Sequence, residues 1–75
     1  MDNITKFIVY CVEIYKTAHK LTGKQVAQLF TSHGIFEYVA DCYEALHTTG
    51  PEYIVDDISG LIEQRRVPDV TTGGL

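Results

Sequence analysis

Three histidines, two cysteines and an adjacent pair of aspartates are the residues of this 75-residue chain whose types suit chemistry. His19, His33 and His47 follow one another at intervals of fourteen positions. A metal site commonly builds on a close pair of ligands three or four residues apart plus others. No such pair occurs here, and neither cysteine has a near ligand partner, so only convergence in the fold would make a metal centre. Each histidine instead falls in the last turn of a helical pattern, where an imidazole meets unsatisfied carbonyls. Capping or packing is the expected role.

A cysteine–histidine pair would make a nucleophile, but a reactive thiolate needs partial exposure and a cationic neighbour. Cys11 and Cys42 both lie on apolar seams, which favours buried thiols; a disulfide between them is the alternative. Asp56 and Asp57 resemble a carboxylate dyad, yet adjacent helical residues point about 100° apart and do not share a site. Asp56 is expected in solvent. Asp57, at the edge of an apolar stripe, is expected to accept a hydrogen bond from a tyrosine, a histidine or a loop amide. Five tyrosines and three phenylalanines without tryptophan are a heavy aromatic load. Tyrosine suits places with one dry and one wet side, interfaces included.

These side chains need elements to hold them, and the apolar spacing is helical throughout. The pattern predicts a compact, all-α array of four helices, at about 4–20, 23–33, 35–47 and 51–66, and a flexible tail over 67–75. Residues 1–66 would form one domain. In the first helix the stripe starts from Ile4 and runs through Phe7, Ile8, Cys11, Val12 and Tyr15, continued by Ala18 and His19, with Asn3 as its cap and Leu21-Thr22-Gly23 as its end. Val9, Tyr10 and Ile14 widen the apolar face beyond what one neighbour covers. Thr22 and Gln25 match a capping box for the second helix, whose stripe is Val26, Leu29, Phe30 and His33, with left-handed Gly34 to close it. Ile35, Val39, Cys42 and Leu46 make the third seam. Pro51 suits the first turn of the fourth helix, whose stripe is Ile54, Ile58, Leu61 and Ile62. Arg65-Arg66 suit its negative end, and Gly60 is expected to let a neighbour approach.

Composition narrows the function classes. The chain is 45% hydrophobic and 21% charged with a net charge of −4, which is globular rather than disordered. Its longest apolar run, Phe7 to Val12, is far short of the roughly 20 residues a membrane helix needs. The acidic start at Asp2, with no cleavage-site pattern after it, does not read as a signal peptide, and a cytoplasmic protein is expected. A helix-turn-helix around Gly34 would present Glu37, Asp41 and Glu44 with no lysine or arginine, the wrong charge for phosphates. Nucleic acid is therefore disfavoured.

Three strings, CVEIYKTAHKLTGKQVAQLF, YVADCYEALHTTG and EYIVDDI, together resemble a family of short bacterial proteins grouped as domain of unknown function 3791. The resemblance covers about residues 4 to 66, and its most distinctive stretch is Leu46-His47-Thr48-Thr49-Gly50. It implies no catalytic role or cofactor. Genes of similar proteins often stand beside another short gene, which implies an antitoxin-like or other partner-protein pair.

The expected function is a non-enzymatic interaction module that self-associates or binds a partner protein. Its candidate interface is Val9, Tyr10, Ile14 and Tyr53, with no catalytic, metal or cofactor residue and no small-molecule substrate. A DNA-contacting small regulator and a small enzyme or metal protein are the alternatives.

Overall fold

The computed structural model describes residues 2–65, and every regular element among them is an α-helix: α1 (Asn3–His19), α2 (Gly23–Ser32), α3 (Ile35–Asp41), α4 (Tyr43–Leu46) and α5 (Pro51–Arg65). The tail expected over 67–75 lies outside the described residues. No helix of the described residues is long and apolar enough to cross a membrane.

Local chemistry sets most of the ends. Asp2, not Asn3, caps α1: its Oδ1 accepts from the Thr5 amide at 2.7 Å. Both residue types cap well, but the aspartate also brings a full negative charge to the positive end of the helix dipole. The Thr5 amide in turn holds the Asp2 carboxyl below its ordinary pKa. At the other end Lys20 adopts the left-handed conformation at φ 55°. The Leu21 amide then reaches Lys16 O at 3.0 Å and the Lys20 amide reaches Thr17 O at 3.4 Å. This is the Schellman closure that glycine usually supplies. Gly23 is the first residue of α2, as the expected 23–33 helix has it.

Thr22 and Gln25 form the full capping box of α2, with bonds of 3.1 and 2.8 Å. Gly34 takes φ 66° between α2 and α3. The helix expected over 35–47 is broken at Cys42, where φ is −101° and ψ 17°. No glycine or proline at 41–43 announces the break. The redirected last turn buries Leu46 and sets the Tyr43 ring edge-on to Phe7, with centroids 5.4 Å apart. Packing there overrides the local periodicity.

One core joins all five helices. Val26, Phe30, Ile35, Ile54 and Ile58 are fully buried, with Phe7, Cys11, Tyr15, Val39, Leu46 and Ile62 around them. Phe30 sits at its centre, edge-on to Tyr15 at 5.3 Å and to Phe36 at 5.5 Å. Edge-to-face rings are the favoured aromatic arrangement. Burial follows the predicted stripes except at the two ends of the first, where Ile4, Ala18 and His19 are exposed. Gly60 admits no close neighbour: a β-carbon there would meet nothing within 4 Å.

Candidate functional site

Two of the three histidines cap helices. The Nδ1 atoms of His33 and His47 donate to Leu29 O at 2.9 Å and to Tyr43 O at 2.8 Å. A carbonyl only accepts, so Nδ1 carries the proton in both rings. At the end of α4 side chains join the His47 and Thr49 amides in meeting the last carbonyls: Thr48 and Thr49 hydroxyls donate to Ala45 O (3.2 Å) and Leu46 O (2.7 Å). The distinctive Leu46–Gly50 stretch is thus a helix stop, with Gly50 O then accepting the Ile54 amide at 3.1 Å to launch α5.

His19 behaves differently. Its ring stacks on Tyr15 at 4.2 Å, and its Nε2 is hydrogen bonded to Ser59 Oγ across the α1–α5 contact at 3.2 Å. A hydroxyl beside an imidazole is the beginning of a nucleophile–base pair. The rest of such a site is missing among the described residues: no carboxylate bonds the other imidazole nitrogen, and Ser59 sits inside α5, where backbone amides are spent on helical bonds. The arrangement ties two helices together.

That tie marks one end of an open groove of about 1010 Å³ between α1 and α5. Tyr10, Ile14 and Ala18 line it from α1 and Val55 from α5. Ile14 and Val55 are half-buried and form its floor, while Glu13, Glu52 and Asp56 are exposed along its rim. Lys16 lies 3.5 Å from Glu13.

No set of three histidine, cysteine, aspartate or glutamate side chains among the described residues could hold a metal ion. Both cysteines are free thiols; Cys11 is buried and Cys42 half-buried. Burial pushes the Cys11 thiol up to about 12, which removes nucleophilic character at neutral pH. Tyr38 Oη donates to Asp57 Oδ2 at 2.5 Å, linking α3 to α5.

A family model described as "Protein of unknown function (DUF3791)" matches residues 6–65, which reach from α1 to the end of α5. The chain belongs to the DUF3791 family. No curated protein and no solved structure matches it.

In this DUF3791 protein two of the four candidate interface residues belong to the groove. Tyr10 and Ile14 line the groove, whereas Val9 and Tyr53 do not. Val9 is 49% and Tyr53 57% exposed, but a neighbouring position on a helix points about 100° away. Helical spacing from Ile14 would have picked out Tyr10 and Ala18. Nothing in the sequence pairs them with Val55, Glu52 or Asp56, which come from a helix some forty residues on. Arg65, expected to serve its own helix end, instead donates from Nη1 to His33 O at 2.8 Å and to Gly34 O at 3.3 Å.

Proposed function

We propose that this DUF3791 protein is a non-enzymatic interaction module that binds a partner protein, or a second copy of itself, through the groove between α1 and α5. The observation that supports this reading is the groove's apolar floor, left open beside a complete core. Tyr10 remains 41% exposed there, although a domain this small gains from every apolar side chain it buries. Contiguous exposed apolar surface with a polar rim is characteristic of binding sites. An antitoxin-like member of a gene pair would need such a surface. The acidic outer face of α3 and α4, with Glu37, Asp41 and Glu44 exposed, weighs against a DNA-contacting role. Two free thiols suit a reducing compartment, which supports a cytoplasmic placement.

Co-expression with the neighbouring gene, followed by purification and sedimentation at micromolar concentration, tests the reading. The expected outcome is a stoichiometric complex or a homodimer that Tyr10→Ser dissolves while the chain keeps its helical signal and still melts cooperatively. A monomer that purifies alone, or an assembly indifferent to Tyr10→Ser, would overturn it.

A further inference from the structure

The groove that carries the interaction reading also has a charge, and the charge selects an occupant. We propose that it receives a basic amphipathic helix of a partner protein, laid apolar side down, with lysines or arginines over Glu13, Glu52 and Asp56. The inference rests on the function proposed above and adds the partner's chemistry.

Shape comes first. Tyr10, Ile14 and Ala18 recur at four-residue spacing on α1, and Pro51, Val55 and Ser59 do the same on α5. Each helix therefore offers two turns, about 12 Å at 1.5 Å per residue. Two neighbouring helices offering an apolar trough over that length match the way an amphipathic helix is bound, through anchors at helical spacing. The groove is open along its length and lacks the enclosure that small-molecule sites use to bury most of a ligand.

Charge decides between partners. The rim carries Glu52 and Asp56 on α5 and, on α1, Glu13 ion-paired with Lys16 at 3.5 Å, all three acids exposed, and the whole chain is at −4. A two-fold dimer through this groove would bring the Glu52 and Asp56 carboxylates of both copies to one interface. Like charges brought together across an interface oppose association. Among the described residues α1 carries Lys6 and Lys16, but its Tyr10, Ile14 and Ala18 already form one wall of the groove. On α2, which carries Lys24, the large apolar residues Val26 and Phe30 are fully buried. A cationic helix gains from the rim what a second copy would lose, and the field of the chain steers its approach.

Fluorescence anisotropy of the full chain with labelled peptides of about 14 residues, two heptads, tests this. The probe has leucines on one helical face and lysines on its flanks. One control carries glutamate for lysine, and another has the leucines scattered around the helix. The leucine–lysine peptide is expected to bind and to gain helical circular dichroism. Both controls, and the variants Tyr10→Ser and Glu52→Gln/Asp56→Asn, should each weaken binding by about tenfold. Equal binding of all three peptides, no binding of any, or indifference to both variants would overturn the inference. So would a homodimer of the chain alone that Glu52→Gln/Asp56→Asn tightens, because the occupant would then be a second copy. A complex in the co-expression experiment that survives while the lysine peptide fails leaves the interaction reading standing and removes only the basic helix.

Discussion

Asp57 shows how one side chain in a plausible catalytic pair is used for structure. Its carboxylate is half-buried and accepts the Tyr38 hydroxyl at 2.5 Å, whereas Asp56, one residue earlier, lies in solvent on the groove rim. The hydrogen bond to Asp57, followed by burial, raises the Tyr38 pKa well above the usual tyrosine value. Ionisation of Tyr38 therefore favours the unfolded chain. Stability from this bond is complete below pH 10, where tyrosine is protonated in both states, and falls as the pH rises above it. Tyr38→Phe should cost about 1–3 kcal/mol at neutral pH, the usual value of a hydrogen bond to a charged acceptor together with the desolvation of the acceptor left behind. It should also flatten the alkaline limb of a stability profile measured by urea melts. A variant with the same alkaline slope as the parent would show that Tyr38 is not the group responsible.

At the scale of the helix, two glycines with opposite roles test the account of the ends and interiors. Gly60 lies within α5 in open space, so Gly60→Ala should stabilise by roughly 0.5–1 kcal/mol through helix propensity alone. Gly34 sits at φ 66°, and an added β-carbon would come 3.0 Å from Arg65 Nη1. Gly34→Ala should therefore destabilise by about 1–2 kcal/mol, the penalty for a left-handed L-residue. Paired thermal melts read both, and a like sign for the two would refute the assignment. The first helix end shows the limit of residue-type rules. Lys20 takes the left-handed position without being glycine, because Leu21 and Lys16 complete the closure around it.

The whole molecule is one core with little reserve. A single domain gains only about 5–15 kcal/mol from folding. Phe30 is fully buried and meets the rings of Tyr15 and Phe36 edge-on. Phe30→Ala should cost about 3–5 kcal/mol and leave the chain near its unfolding midpoint at room temperature. Circular dichroism with urea titration measures this. A loss below 1 kcal/mol would mean that the core closes without Phe30. By contrast, Tyr10→Ser on the groove should cost much less than Phe30→Ala, since its ring is 41% exposed and meets the core at Phe7, with centroids 6.0 Å apart.

The sequence by itself determined the helical class, the core faces of the helices and many of their ends, because these depend on residues three or four apart. Val26 with Phe30, Thr22 with Gln25, and Ile54 with Ile58 are all within one turn of each other. The same locality made His33 and His47 legible as caps. Contacts between distant segments were decided by the tertiary structure alone. His19 meets Ser59, Arg65 closes the turn at His33 and Gly34, Tyr38 finds Asp57, and α4 bends away from α3 at Cys42 to meet Phe7. The groove belongs to this second group. Ile14 and Val55 were each visible as apolar residues, and Glu13, Glu52 and Asp56 as polar ones. That they form one acid-rimmed trough follows only from two helices packing side by side, which no local spacing encodes.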